Sequence, residues 1–326
     1  MNISKSFFLL FFIFALSVLF FLGVESGPHG PLVSKMFVRS LTDEEYFILF
    51  HLRLPRVLLA MGVGAILALS GQAYQTLFMN PLVSPYTLGV SGGAAVGVVF
   101  ARLFLSHFVP SSFYWIFSLF GGGVVFLLLL PLLNTRTGQA GYGEKVLLLG
   151  VLMSLFSGAL LYALQYFVDV GGLIELTGWY FGTLNVVGLM VPVITIVLAA
   201  LFFLMLYSYR SALDLLLFGS EYAISHGIDI RFFYLTILGV STLALSFVLS
   251  VVGPIGYIGL IVPHIARSIV GESHTKSLPV TMCVGSVFLL GCDLVGRTIL
   301  PTQEIPVGLI TALIGCPVMA LLLFRR

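Results

Sequence analysis

Most of this chain consists of apolar runs long enough to cross a lipid bilayer, separated by short polar intervals. One helical crossing needs roughly 20 mostly apolar residues. Of the 326 residues, 59% are hydrophobic and 9% are charged, whereas a soluble domain carries about 25% charged residues. Too few polar side chains exist to cover a water-exposed surface. The composition therefore excludes an ordinary soluble enzyme, a disordered chain and a nucleic-acid-binding protein, and it indicates a polytopic membrane protein.

The apolar pattern predicts an all-α protein of about ten transmembrane helices in one domain that covers residues 1–326. The first span is interpreted as retained, because its apolar run is longer than the core of a secretory signal. The predicted spans are 6–24, 56–78, 86–105, 113–133, 146–167, 187–207, 232–252, 256–270, 278–296 and 306–324.

The distribution of Lys and Arg predicts the orientation of the chain. Ten spans place both termini on one side, and that side carries nine of the 15 Lys and Arg residues. Cytoplasmic loops are enriched in these residues. We therefore expect both termini in the cytoplasm.

Two segments interrupted by Gly and Pro, 80–85 and 253–263, occupy corresponding places in the chain. Each follows the first helix of a group of four, spans two to five and spans seven to ten. The two groups would have inverted topology. Broken segments at matching places in inverted repeats are typical of transporters.

Small residues recur at four-residue spacing in spans two and three. They include Ala60, Gly64 and Ala68, followed by Gly93 and Gly97. Such stripes allow helix backbones to approach closely in lipid. A phosphate-binding loop is the alternative for the glycines of span three, but no Lys in the chain follows a Gly. The chain therefore lacks a Walker A motif for ATP hydrolysis.

A polar stripe runs along span five, at spacings that place its members on one helical face. Two interpretations stay open, because a polar face in lipid must be buried against protein or water. The stripe either packs against another helix or lines a path for solute. Its members are Ser154, Ser157, Gly158, Tyr162 and Gln165.

Three arginines lie near span ends on the predicted outer side: Arg53, Arg56 and Arg297. They are either anchors that reach the membrane surface or fixed charges that dock an acidic partner. Asp293 lies four residues before Arg297, so the two side chains share a face and can pair.

The polar interval 208–231 lies on the predicted cytoplasmic side. Gly219 and Gly227 divide it into short amphipathic segments. Two short helices at the membrane face and a simple interfacial loop both fit this pattern.

Four stretches of the sequence resemble the FecCD (BtuC-type) permease family, the membrane subunits of ABC importers for iron-siderophores, haem and cobalamin. The third stretch, Gly-Pro-Ile-Gly-Tyr-Ile-Gly-Leu-Ile-Val-Pro-His-Ile-Ala-Arg, is highly specific. The stretches are 53–56 with 69–72, 80–93, 253–267 and 306–317.

The resemblance implies the type II ABC importer fold in a bacterial or archaeal cytoplasmic (inner) membrane, surrounded by lipid. It also implies a homodimer completed by two ATP-binding subunits and an extracytoplasmic solute-binding protein. ATP and Mg would be used by the ATP-binding partner, and this chain would bind no cofactor or metal and catalyse no reaction itself.

The resemblance also implies roles for individual residues. Arg53, Arg56 and Arg297 would dock carboxylates of the binding protein. Segment 213–227 would contact the ATPase, and spans five and ten would line the path between subunits. The coupling residues would be Leu217, Gly219, Glu221, Ala223 and Gly227. The cytoplasmic gate would be Asn80, Leu82, Gly143 and Glu144.

The sequence thus predicts an ATP-driven importer subunit that works by alternating access. Family frequency favours a ferric siderophore as the solute, with haem, cobalamin and oxyanions such as molybdate left open. An ion-gradient-driven secondary transporter is the main alternative, and it would need ionisable groups at mid-membrane. A membrane-embedded enzyme would need clustered His, Asp or Glu.

Overall fold

The computed structural model describes residues 41–133, 142–168, 170–300 and 303–324, together with isolated positions between 15 and 35. The predicted span 6–24 lies largely outside the described residues. Within the four ranges the chain folds into helices joined by loops, and these ranges contain no β-strand. The all-α prediction is confirmed.

From residue 41 onward, the described ranges contain thirteen α-helices, and every predicted span after the first overlaps one of them. The short helices Asp43–Phe47 and Val170–Tyr180 were not predicted. The helices are α1 Asp43–Phe47, α2 Leu54–Leu77, α3 Val90–Phe104, α4 Tyr114–Leu133, α5 Tyr142–Gln165, α6 Val170–Tyr180, α7 Met190–Ser208, α8 Arg210–Leu216, α9 Ser220–Ser225, α10 Ile230–Val252, α11 Ile258–Val270, α12 His274–Thr298 and α13 Val307–Phe324.

Six helical stretches of the described chain are long and apolar enough to cross a membrane. Three shorter apolar helices, α3, α11 and most of α13, accompany them. The count of ten spans stays a prediction. The six stretches are Asp43–Leu77, Ser111–Leu130, Leu148–Gln165, Met190–Ser208, Ile230–Val252 and His274–Thr298.

The first long stretch begins with a capping box. The Glu45 amide donates to Thr42 Oγ1 at 3.3 Å, and the Thr42 amide donates to Glu45 Oε2 at 3.1 Å. These bonds satisfy two amides that have no partner inside the helix. A π-helical turn, Ile48–Arg53, then joins α1 to α2.

Helices α2 and α12 form the centre of the fold and run antiparallel. The start of α2 meets the end of α12, where Arg56 contacts Asp293, and the end of α2 meets the start of α12, where Thr76 contacts His274. A Cβ atom at Gly64 would overlap the carbonyl of Gly285. The small-residue stripe of α2 therefore provides the close helix contact that its spacing predicted.

The two Gly/Pro-interrupted segments lie side by side. The side-chain amide of Gln75, at the end of α2, donates from Nε2 to the Gly259 carbonyl at 3.3 Å. His264 Nε2 lies 3.1 Å from the Pro81 carbonyl. We call the loops that follow α2 and α10 the two breaks. Each break contains a non-glycine residue at positive φ, Met79 at 48° and Tyr257 at 68°. Such residues are uncommon, so the two breaks share a backbone feature as well as a contact.

Candidate functional site

Four ionisable side chains meet where α2 begins and α12 ends. Arg56 Nε lies 2.9 Å from Asp293 Oδ1, and Arg56 Nη1 lies 2.7 Å from Glu304 Oε2. Arg297 Nε lies 3.1 Å from Asp293 Oδ2, which confirms the predicted pairing of those two residues. We call Arg56, Asp293, Arg297 and Glu304 the arginine cluster.

Burial differs sharply within the arginine cluster. The Asp293 side chain is fully buried, those of Arg56 and Arg297 are nearly so, and that of Glu304 is 49% exposed. The four formal charges sum to zero. A buried charge is tolerated only when it is paired, so Asp293 holds both arginines in place and Glu304 is the member accessible to a partner.

Arg53 lies apart from the arginine cluster. It is 6% exposed, and its Nη1 donates to the Val24 carbonyl at 3.3 Å. The structure therefore brings together two of the three predicted docking arginines. Sequence reasoning missed Glu304, which lies 248 residues from Arg56 in the chain.

The predicted cytoplasmic segment contains two short helices, α8 and α9, separated where Gly219 adopts φ +107°. A side chain there would meet nothing within 4 Å, so the backbone conformation rather than space requires glycine. Gly227, at φ +83°, follows α9 in the same way.

The predicted coupling residues face different environments. Leu217, Glu221 and Gly227 are exposed, whereas Ala223 is fully buried. Phe218, which sequence reasoning did not select, is 75% exposed. Phe218 lies between the two short helices. Exposed aromatic side chains in such places are typical contact residues for another protein.

Helix α8 is tied to the central helix pair by one carboxylate. Asp214 Oδ1 accepts from the His274 amide and from His274 Nδ1, both at 2.7 Å, and Asp214 Oδ2 accepts from the Ser273 hydroxyl at 3.2 Å. His274 Nε2 lies 2.9 Å from Thr76 Oγ1. We call Asp214, Ser273, His274 and Thr76 the Asp214–His274 link. Sequence reasoning missed it, because no local pattern joins residues 60 positions apart.

About one helical turn from this link, a further polar contact joins α2 and α12. Gln72 Nε2 donates to the Ser277 hydroxyl at 2.6 Å, and both side chains are fully buried. Buried polar groups are costly unless they are hydrogen-bonded. The two helices are therefore held in register here by paired polar groups.

The polar stripe of α5 divides between its two interpretations. Ser154 donates to the Tyr86 carbonyl at 2.8 Å, and Ser157 is 4% exposed beside α3. Gly158 faces open space, Gln165 is half-buried and Tyr162 is 76% exposed. The two serines pack within the subunit, and the remainder of the stripe faces outward.

The predicted gate residues lie on two elements. Asn80 and Leu82 occupy the loop after α2, where Asn80 Oδ1 accepts from the Leu82 amide at 2.9 Å. Gly143 and Glu144 lie in the first turn of α5, and the surroundings of these two residues fall outside what the structure describes. Their role as a gate stays a prediction.

No group of three or more His, Cys, Asp or Glu side chains that could hold a metal ion occurs among the described residues. The fold instead presents a bundle of apolar helices whose central pair has a charged cluster at one end and a bonded surface helix at the other. The chain therefore belongs to the class of polytopic membrane proteins, and its central helix pair has a different polar site at each end.

The family follows from comparison with known proteins. The model of the FecCD transport family matches residues 9–325, and the chain belongs to that family. It is therefore a permease subunit of the ABC importer class, and such subunits are not themselves enzymes.

Relatives with assigned transport roles are similar to this chain over most of their own length. The chain is 37% identical to the Fe(3+) dicitrate transport system permease protein FecD of Escherichia coli, over 86% of each protein. It is 33% identical to the vitamin B12 import system permease protein BtuC of Vibrio vulnificus, over 88% of this chain and 85% of that one. A solved structure described as a metal-chelate type ABC transporter in an inward-facing conformation is similar with a TM-score of 0.85 and 28% identity, covering 98% of this chain and 100% of that one.

Proposed function

We propose that this chain is the membrane subunit of an ATP-driven importer for a ferric siderophore, or for haem or cobalamin. Two ATP-binding subunits would use ATP and Mg, and a solute-binding protein would deliver the solute. The observation that carries this proposal is the α2–α12 pair, which joins the arginine cluster to the surface helix α8. Relatives of this chain are named for Fe(3+) dicitrate, hemin and vitamin B12 transport, and these names support the choice of solutes.

The proposed topology has ten spans, two inverted halves of four helices, and both termini in the cytoplasm. The paired breaks after α2 and α10 support the inverted halves, because each contains a residue at positive φ and the two segments are in contact. In this topology the arginine cluster faces outward and α8 and α9 face the cytoplasm.

The arginine cluster is the proposed docking site for the binding protein. Glu304 is its half-exposed carboxylate, so a carboxylate of the partner would replace Glu304 on Arg56. Arg53 would stabilise the same face from its buried position. We expect Arg56→Glu and Arg297→Glu to weaken docking, with an effect that shrinks as salt is added. Unchanged affinity in both variants would contradict the assignment.

The helices α8 and α9 form the proposed ATPase contact. The exposed side chains beside Gly219 support this role, and the glycine adopts the positive φ that separates the two short helices. We expect Gly219→Ala and Glu221→Lys to uncouple ATP hydrolysis from uptake. Normal coupling in both variants would contradict the assignment of α8 and α9 as the ATPase contact.

A second copy of the chain is proposed to cover the outward face of α5. This face exposes Leu155, Phe156 and Tyr162 at 61% or more. With α13 it would line a path whose apolar and aromatic surface fits a bulky chelate better than a bare ion, and Asn80, Leu82, Gly143 and Glu144 would close it on the cytoplasmic side.

Purification of the tagged chain in mild detergent, followed by native mass spectrometry and uptake in lipid vesicles, tests the proposed function. The expected result is a complex of two permease and two ATP-binding subunits that imports solute only with ATP and the binding protein. A chain that purifies alone and imports solute with an ion gradient in the absence of ATP would overturn it in favour of a secondary transporter.

A further inference from the structure

The Asp214–His274 link joins the surface helix α8 to the start of α12 through three hydrogen bonds of one carboxylate. Asp214 lies on α8, yet it caps the first amide of α12 and binds the ring of the residue that carries this amide. An aspartate normally caps the helix that follows it in the chain, as Asp229 does for α10. Asp214 instead caps a helix that begins 60 residues later.

The His274 ring extends the link into α2. The residue is 2% exposed, and its second ring nitrogen contacts Thr76, whose hydroxyl lies 3.1 Å from the Gln72 carbonyl. The chain of bonds therefore runs from a surface helix, through an imidazole buried between two helices, to the Thr76 side chain of α2. Bonds in such a buried network strengthen one another.

Packing also ties α8 to the core of the protein. Leu213 and Leu216 are fully buried in the main apolar core on either side of Asp214. Helix α9, by contrast, follows Gly219 and exposes Tyr222 and Ile224. The segment thus has a fixed part, α8, and an exposed part, α9.

We infer that the Asp214–His274 link carries the displacement of the ATPase contact from α8 to the α2–α12 pair, with Asp214, His274 and Thr76 as positioning residues. This inference rests on the proposed function. Because the same pair bears the arginine cluster at its other end, a shift of α8 moves the helices that hold the proposed docking site. Coupling between distant sites needs such an element, whose position both sites can bias.

The test uses the full chain in complex with its ATP-binding and solute-binding partners in lipid vesicles. It measures ATP hydrolysed per solute imported, with whichever of ferric siderophore, haem or cobalamin the wild-type complex takes up. Thr76→Val keeps the side-chain volume and removes the bond to His274. His274→Ala removes that bond and the bond between its ring and Asp214, but it leaves the backbone cap. We expect each to raise the ratio at least about twofold, the factor that corresponds to the weakest typical hydrogen bond.

Three further variants separate coupling from stability. Thr42→Ala removes a cap from α1, which has no described contact with α8, and it should leave the ratio unchanged. Asp214→Asn should stay close to wild type, because Asn also caps helices, whereas Asp214→Ala should resemble His274→Ala. The double variant Thr76→Val/His274→Ala should be no worse than His274→Ala alone, because that variant already removes the bond that Thr76→Val removes.

Unchanged ratios in Thr76→Val and His274→Ala, or additive effects in the double variant, would overturn the inference. A wild-type complex without ATP-driven uptake would instead refute the proposed function, so the two failures are distinguishable.

Discussion

The two ends of the α2–α12 pair are fastened by different chemistry. At the arginine cluster, two guanidinium groups and a carboxylate are withdrawn from solvent, and each depends on the charge of the others. At the Asp214–His274 link, one partly exposed carboxylate binds an amide, a hydroxyl and an imidazole. The first end therefore depends on charge balance and the second on the position of a neighbouring helix. The following variants test this contrast.

Asp293→Asn should have the largest effect on stability. It leaves Arg56 and Arg297 buried without their shared counter-charge, and breaking a buried pair costs about 3–5 kcal/mol. Thermal or denaturant unfolding in detergent measures the loss. Glu44→Gln, at an exposed site, is the control and should change little. A loss for Asp293→Asn as small as that of the control would show that the cluster is well hydrated.

Gly285→Ala tests the contact midway between the two ends. The added methyl group would overlap the Gly64 carbonyl, and overpacking costs about 1–3 kcal/mol of unfolding free energy. Gly239→Ala, within α10, is the matched control, because a Cβ there meets nothing within 4 Å. Replacing a helical glycine without strain stabilises by about 0.4–1 kcal/mol. Equal melting temperatures in the two variants would contradict the close contact.

Ser277→Ala tests the polar contact next to the Asp214–His274 link without removing a charge. It removes the partner of Gln72 Nε2 in a fully buried site, and a lost hydrogen bond costs about 1 kcal/mol. The exposed Ser268, which donates to the Ile265 carbonyl one turn back, provides the control variant Ser268→Ala. We expect the buried variant alone to lower the melting temperature, and the loss should be insensitive to salt.

Glu304→Gln should have the smallest effect. Its carboxylate is half exposed, and exposed ion pairs contribute about 0–1 kcal/mol. Any difference from wild type should vanish at high salt, because screening weakens exposed pairs. A loss comparable with that of Asp293→Asn, or one that persists in salt, would place Glu304 among the buried charges.

Sequence reasoning reached the parts of this structure that depend on local pattern. Apolar length located nine of the helices, four-residue spacing identified Gly64 as a packing contact, and i,i+4 spacing paired Asp293 with Arg297. The three arginines were singled out by their places near span ends, and the family resemblance then implied docking. The structure separates Arg53 from the other two.

What sequence reasoning missed depends on tertiary contacts. Glu304 and Asp214 are ordinary acidic residues in polar intervals, and only the fold brings them to Arg56 and His274. Periodicity also could not divide the stripe of α5, because Ser154 and Gly158 share a helical face by spacing but have different neighbours. The packing of adjacent helices decides such differences.

The π-helical turn Ile48–Arg53 has a consequence for variation in chain length. A π turn closes its hydrogen bond one residue later than an α turn, so it accommodates an extra residue locally. A one-residue deletion between 48 and 53 can be absorbed as this turn tightens, and the buried face of α2 keeps its direction. The same deletion inside α2 would rotate everything beyond it by about 100°, the angle per residue of an α-helix. Insertions and deletions in related chains should therefore be tolerated before α2 and be rare within it.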